Sequence, residues 1–112
     1  MVRDTRPISW VKGALKDYQK FPKGAQLEIR RALTVAAEGA KAEHAKPMKG
    51  LGSGVLEIAL KYRADAYRVV YALKIGEVIW VVHAFQKKSK TGIKTPKQYI
   101  DLIKKRIKDL KD

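Results

Sequence analysis

Residues 55–88 constrain the fold most strongly, because three strand-like segments follow one another there with only short connections. Val55–Tyr62 and Tyr67–Leu73 alternate apolar and polar side chains, and Val78–Lys88 begins with a run of β-branched and aromatic residues. Alternation with a period of two is typical of a half-buried strand, and a short β-branched run is typical of a central strand. Short turns join antiparallel neighbours, so the three segments predict an antiparallel meander.

Helices are predicted before and after this meander. A first strand over Pro7–Val11 leads to a short helix over Ala14–Phe21 and a longer helix over Gly24–Ala40, whose apolar residues share one stripe. The two helices predict a hairpin that packs on one face of the sheet. The other face is only partly apolar and is expected to be free to bind a partner. Thr95 is the predicted N-cap of a last helix, with Pro96 at its first position.

The segment Lys41–Gly54, between the helical hairpin and the meander, is predicted to be a linker whose glycines form a turn. The complete prediction is a single α+β domain over residues 1–112. It consists of an N-terminal strand, a helical hairpin, an antiparallel three-stranded meander that joins the first strand in one sheet, and a C-terminal basic helix. A chain of 112 residues is long enough to bury its own core.

The charge of the chain is strongly positive and unevenly distributed. Twenty-five Lys and Arg residues against eleven Asp and Glu residues give a net charge of +14. Residues 85–112 contain ten basic and three acidic residues, which leaves +7 in a quarter of the chain. Charge repulsion of this size favours a polyanionic partner. Nucleic acid is the first candidate, ahead of an acidic protein and an anionic membrane, and a solvated lysine-rich surface is the remaining alternative.

Several classes of protein are disfavoured by what the sequence lacks. It contains no cysteine, and His44 and His83 lie 39 positions apart without a metal-binding spacing to acidic residues. No disulfide framework, metal site or cofactor is therefore predicted. The N-terminus lacks the apolar region of a signal peptide, and the longest apolar run, Val78–Val82, is too short to cross a bilayer. A cytoplasmic location is the resulting expectation.

Cations at the ends of two neighbouring strands form the candidate site. Arg68 lies on the second strand of the meander, and Lys87 and Lys88 follow the third. A guanidinium can bind two oxygens of one phosphate and an ammonium adds a point charge, so together they predict a phosphodiester site. His83 is chemically the best free general base, provided that it faces the site rather than being packed. The alternative is that Arg68 pairs with Glu57 across the sheet and that the lysines are solvated.

Five short motifs occur in order along nearly the whole chain. They are Met48-Lys49-Gly50-Leu51, Leu56-Glu57-Ile58, Tyr67-Arg68-Val69-Val70-Tyr71, His83-Ala84-Phe85-Gln86-Lys87-Lys88-Ser89 and Thr95-Pro96. With the order of elements, they resemble the RelE/HigB toxins of type II toxin–antitoxin systems, in particular the phage-derived HigB-like branch. The resemblance implies a ribosome-dependent endoribonuclease that cuts mRNA by attack of a ribose 2′-hydroxyl. It also implies an acidic antitoxin, whose complex with the toxin sets the oligomeric state.

The resemblance further implies roles for individual residues. The family's strand arginine matches Arg68, and its basic residue at the end of the last strand matches Lys87, with Lys88 beside it. A tyrosine near the start of the last helix matches Tyr99, which is alternatively part of that helix's apolar stripe. These residues and His83 are the predicted catalytic set. The cations predicted to bind nucleic acid are Lys61, Arg63, Lys90, Lys94 and Lys97.

This sequence departs from the resembled pattern on the first strand of the meander. Some RelE members have two lysines where this chain has Glu57 and Ala59, so the general base is left open. Lys61 and Arg63 are nearby cations that could take over part of that role. Two other functions are compatible with the same fold: a ParE-like toxin that acts by binding DNA gyrase, and a non-catalytic accessory protein that binds nucleic acid.

Overall fold

One mixed β-sheet with helices on both of its faces forms the structure, a computed structural model that describes residues 5–87 and 95–111. The sheet order is β1-β5-β4-β3-β2, with β1 parallel to β5 and the other neighbours antiparallel. The α+β class and the meander are therefore confirmed. The elements are β1 (Ile8–Trp10), α1 (Lys12–Tyr18), α2 (Lys23–Ala37), β2 (Ala45–Pro47), β3 (Val55–Tyr62), β4 (Asp65–Ile75), β5 (Val78–Lys87) and α3 (Lys97–Lys111).

The short strand β2 lies in the segment that was predicted to be a linker. It pairs with β3 at the edge of the sheet, Ala45 opposite Ile58 and Pro47 opposite Leu56. Ala45 is buried whereas Pro47 is exposed, which suits an edge strand because proline has no N–H to donate. Three residues are too few to show a period of two, so the sequence gives no signal for this strand.

The first face of the sheet carries α1 and α2, as predicted for the helical hairpin. A buried cluster joins α2 residues Ala25, Ile29 and Leu33 to sheet residues that include Val69 and Val81. The predicted apolar stripe of α2 is thus confirmed up to Ala36. The helix ends at Ala37 instead of Ala40, because Gly39 adopts a left-handed φ of 90° that stops it.

The second face is covered by α3 over its apolar half. Ile103 and Ile107 of α3 are buried against Val70, Ala72 and Val82. The expectation that this face would be free is therefore wrong for the part beneath α3. The end of the same face nearest the start of α3 carries polar and aromatic residues instead, and the candidate site lies there.

A β-bulge in β5 changes which side chains reach the second face. Val70 pairs with His83, but the next residue of β4, Tyr71, pairs with Val81, so Val82 is the extra residue. Val81 packs in the core of the first face and Val82 in the core of the second. A strict alternation of side chains along β5, which would put Val81 and His83 on one side, is therefore interrupted. The bulge places His83 under α3.

Candidate functional site

The candidate site is built from three rows of side chains across β3, β4 and β5. Directly paired residues of antiparallel strands place their side chains next to each other on one face. Each row therefore contains one side chain from each of the three strands. The rows are Glu57, Val70 and His83; Ala59, Arg68 and Phe85; and Lys61, Ala66 and Lys87.

An ion pair occupies the centre of this arrangement. Nη1 of Arg68 donates to Oε1 of Glu57 at 2.7 Å, and the two side chains are only 14% and 13% exposed. The other oxygen of Glu57, Oε2, accepts a hydrogen bond from the Thr95 hydroxyl at 2.6 Å. Nε of Arg68 is buried and has no hydrogen-bond partner among the described residues. The pairing of Arg68 with Glu57 that the sequence offered as an alternative is therefore present.

The contact of Thr95 differs from its predicted role. The last helix begins at Lys97, so Pro96 rather than Thr95 directly precedes its first residue. The amide groups of Tyr99 and Ile100 donate to the Pro96 carbonyl oxygen. The Thr95 hydroxyl instead binds the Glu57 carboxylate, and this bond ties the start of α3 to the polar end of the second face.

Lys87 ends β5 beside the ion pair. Its pKa is lowered because partial burial removes water from the ammonium group and because the positive charge of Arg68 is close, while Glu57 acts in the opposite direction. Two cations therefore share this end of the face. Lys61 is in the same row as Lys87, with Ala66 between them, and its side chain is exposed. Neighbouring strands are about 4.8 Å apart, so Lys61 lies about 10 Å from Lys87 along the row.

His83 is buried and held from one side by α3. Nη1 of Arg106 lies 3.3 Å from its Nδ1 and also donates to the Val82 carbonyl oxygen at 2.8 Å. Burial lowers the pKa of His83 to about 4, with a further contribution from Arg106 and an opposing one from Asp17. Because arginine can only donate, Nδ1 accepts, and the proton of the neutral ring is on Nε2. In this form the ring presents a donor and not a general base.

Gly13 is the residue that allows Arg106 to reach this position. Gly13 was predicted to precede the first helix but lies inside α1. A Cβ atom there would stand 2.5 Å from Nη2 of Arg106, so the guanidinium would have to shift. Gly13 therefore marks a close approach of the Arg106 side chain to α1.

Three aromatic rings enclose the site beside Arg68. The ring centroids of His83, Phe85 and Tyr99 are 4.7–5.3 Å from one another, all within the range of favourable ring packing. Tyr99 is on the first turn of α3 and is partly buried. Tyr99 therefore packs on the domain through these two rings, and its catalytic role stays a prediction.

The structure brings together only some of the predicted site residues. Arg68, Lys87, His83 and Tyr99 meet at the polar end of the second face, with Lys61 at its rim. Arg63 is not among them, because it is in the turn after β3 with its guanidinium 5.5 Å from the centre of the Tyr62 ring. Lys97 is exposed at the start of α3. The predicted residues Lys88, Lys90 and Lys94 lie outside the described residues.

Three residues at the site were missed as functional candidates. Glu57 was interpreted as a structural partner of a cation rather than as a base. Thr95 was assigned to a helix cap, and Arg106 carried no sequence signal beyond its charge. Within residues 5–87 and 95–111, no group of three or more His, Asp or Glu side chains could hold a metal ion. Over the same residues, no helix is both long and apolar enough to span a membrane.

The fold is thus an α+β architecture, a five-stranded sheet with two helices on one face and a C-terminal helix on the other. The chain belongs to the family of phage-derived Gp49-like proteins (DUF891), which matches residues 16–108. This is a RelE-like family of toxins, so the resemblance to RelE/HigB toxins is confirmed at the level of the family.

A solved structure and the curated proteins complete the comparisons. The chain is similar to the toxin–antitoxin complex RelBE2 from Mycobacterium tuberculosis, with 17% sequence identity and a TM-score of 0.46. The alignment covers 76% of this chain and 94% of that chain. No curated protein matches the sequence significantly.

Proposed function

We propose that this chain is the toxin of a toxin–antitoxin pair and that it cleaves mRNA in the ribosome. The observation that carries the proposal is the position of two cations, Arg68 and Lys87, in neighbouring rows of one face. Their charges are close enough for Arg68 to lower the pKa of Lys87. Such a pair can bind one phosphodiester from two directions, and the net charge of +14 attracts RNA to it.

The proposed reaction is an internal transesterification. The ribose 2′-oxygen attacks the adjacent phosphorus, the bond from phosphorus to the 5′-oxygen breaks, and the products end in a 2′,3′-cyclic phosphate and a 5′-hydroxyl. Arg68 and Lys87 stabilise the negative charge that grows on the phosphorane. Because its pKa is lowered, Lys87 is suited to give a proton to the leaving 5′-oxygen.

Glu57 is the best-placed acceptor for the proton of the 2′-hydroxyl. Both of its oxygens already accept one hydrogen bond each, from Arg68 and from Thr95. A carboxylate has about four lone-pair positions, so a further donor can be accepted. Glu57 engages only Nη1 of Arg68, which leaves the buried Nε without a partner among the described residues. Because the ion pair uses Nη1, the guanidinium can keep it while its other amino group, Nη2, contacts a phosphate.

A protein partner is part of the same proposal. The similar solved structure is described as a toxin–antitoxin complex. Since this chain carries +14, we expect its own antitoxin to be acidic and to cover basic surface. We further expect that the number of chains in the assembly is set by that complex. Co-expression with neighbouring reading frames, scored for rescue of growth, identifies the antitoxin.

The test is induction of the chain in bacteria, with mRNA ends mapped by sequencing and growth recorded. Lys87→Ala and Arg68→Lys should each reduce cleavage by about 10²- to 10³-fold, because each removes a contact to the transition state. Arg68→Lys keeps the charge opposite Glu57 but loses the fork geometry, so the fold should survive. Circular dichroism checks this. Arg31→Ala, which removes an exposed cation of α2, is the matched control and should leave cleavage unchanged.

Three outcomes separate the alternatives. Undiminished cleavage by both variants overturns the assignment of Arg68 and Lys87. Growth arrest with damaged DNA and intact mRNA favours a gyrase-binding toxin. A wild-type chain without any toxicity favours an accessory protein that only binds nucleic acid.

A further inference from the structure

The ion pair of Arg68 and Glu57 is held together by a single hydrogen bond. Guanidinium and carboxylate groups frequently bind each other through two parallel N–H···O bonds, because the fork of nitrogens matches the two oxygens. Here Glu57 uses one oxygen, Oε1, to accept from Nη1 of Arg68 at 2.7 Å. Both side chains are largely buried, so bulk water is a weak competitor for a second bond. The single bond therefore needs a local cause.

Thr95 occupies the second oxygen of Glu57. Its hydroxyl donates to Oε2 at 2.6 Å, a length typical of an O–H group bound to a charged acceptor. A bidentate contact would require Oε2 to turn toward Nη2 of Arg68, and that rotation would break the bond from Thr95. The two carboxylate oxygens are thus held by donors from different parts of the fold, Arg68 in β4 and Thr95 before α3.

The hydroxyl of Thr95 is itself held in place by the start of α3. Threonine has few rotamers because it is branched at Cβ, and a residue that precedes proline has a restricted backbone. The carbonyl oxygen of Pro96 accepts hydrogen bonds from the amides of Tyr99 and Ile100, which joins Thr95 directly to the first turn of the helix. The Tyr99 ring in that turn packs on Phe85 of the sheet. The donor to Glu57 therefore stands on a packed element.

We infer that Thr95 is a positioning residue, which holds Oε2 of Glu57 away from Arg68 and so leaves Nη2 of Arg68 available to a phosphate oxygen. The inference rests on the proposed function, which supplies the RNA phosphodiester as the anion. Without the hydroxyl, Oε2 turns to Nη2 and the ion pair becomes bidentate. A phosphate must then displace a carboxylate oxygen before it binds, so its affinity falls. Thr95 acts through Glu57 and needs no contact with RNA.

The competing account makes the bond between Thr95 and Glu57 a purely structural tie between α3 and the sheet. Loss of the hydroxyl would then lower the free energy of unfolding and leave the contact between Arg68 and phosphate as it is. The inference predicts instead a change in the Arg68 guanidinium itself. The two accounts therefore differ in a signal that NMR measures on the intact protein without any catalysis.

The decisive experiment is NMR of the Arg68 guanidinium in the full-length protein, titrated with inorganic phosphate. Thr95→Val removes the hydroxyl and keeps the shape of the side chain, and Thr95→Ala is a second deletion in case Thr95→Val does not fold. We expect each deletion to shift the Nη2 signals before phosphate is added. Each should also weaken phosphate binding by about tenfold, the effect of one hydrogen bond to a charged group.

Two further variants are the controls. Thr95→Ser keeps the hydroxyl and should behave as the wild type does. Thr34→Val removes an exposed hydroxyl of α2, which donates to the Arg30 carbonyl oxygen, and should leave phosphate binding unchanged. Unchanged Nη2 signals together with equal phosphate affinity in the Thr95 deletions overturn the inference. A loss in Thr95→Ser as large as that in Thr95→Val also overturns it, because the hydroxyl would then not be the cause.

RNA cleavage keeps this inference separate from the proposed function. If the wild-type chain cuts RNA, Thr95→Val should reduce cutting by about tenfold, and Thr95→Ser should retain it. Undiminished cutting by Thr95→Val overturns the inference and leaves the nuclease intact. If the wild-type chain cuts no RNA, altered Nη2 signals in Thr95→Val support the role of Thr95 and the nuclease is refuted.

Discussion

Replacement of His83 by Gln should make the stability of the protein less sensitive to acid. His83 is buried and its pKa is lowered from 6.5 to about 4, mainly because the charged form loses water. The unfolded chain therefore binds a proton at higher pH than the folded protein does. The contribution of this residue to the free energy of unfolding is complete above about pH 6.5 and is lost as the pH falls to about 4. Below that pH both states are protonated and the loss stops.

The size of the effect follows from the shift. A shift from 6.5 to about 4, at about 1.36 kcal/mol per pKa unit, amounts to about 3 kcal/mol between pH 7 and pH 4. Urea unfolding of the wild type and of His83→Gln at half-unit steps of pH measures this contribution to the free energy of unfolding. The titration of carboxylates is common to both proteins and cancels in the difference between them. His44→Asn is the control, since His44 is exposed with a left-handed φ that asparagine tolerates. Parallel pH profiles for wild type and His83→Gln would refute the burial argument.

Two further predictions concern the packing of the second face. Glu57→Gln removes the charge opposite a largely buried guanidinium, so the free energy of unfolding should fall by about 1–3 kcal/mol. The control is Glu28→Gln, in the exposed pair with Arg31, which should change the free energy of unfolding by no more than about 0.5 kcal/mol. Equal losses in the two variants would contradict the prediction. Ile103→Ala, at a position with no exposed surface, should cost about 2–5 kcal/mol in the same urea assay; a loss below 1 kcal/mol would show that α3 does not pack on the sheet.

Periodicity in the sequence predicted the elements whose side chains repeat over several residues. Strands β3 to β5 and the stripe of α2 extend over enough positions for a period to be visible. The bulge at Val82 was not predictable, because it arises from the pairing of two strands and both Val81 and Val82 are apolar. Strand β2 was missed for a related reason: three residues, held mainly by hydrogen bonds to β3, carry no pattern of their own.

The candidate site was predictable only where strand alternation determined it. Arg68 and Glu57 were each assigned to a side of their own strand, so their ion pair could be anticipated. The contacts of Thr95 and Arg106 depend on where α3 crosses the sheet, and no local sequence pattern sets that crossing. The burial of His83 under α3 follows from the same crossing together with the bulge, which is why the sequence left open whether this residue faced the site.

Glu57 explains how two cations can share one end of a sheet face when no anion is bound. Arg68 and Lys87 together carry +2, and Glu57 reduces this to +1, which one phosphodiester then neutralises. Without Glu57, the two cations would repel each other in a region of low exposure and bind an anion more tightly. Glu57→Gln should therefore lower stability while it raises affinity for a simple phosphate ion, and it should slow cleavage if the carboxylate accepts the 2′-hydroxyl proton. If Glu57 serves only stability, Glu57→Gln should not slow cleavage. The rate of cleavage therefore distinguishes a structural Glu57 from a catalytic one.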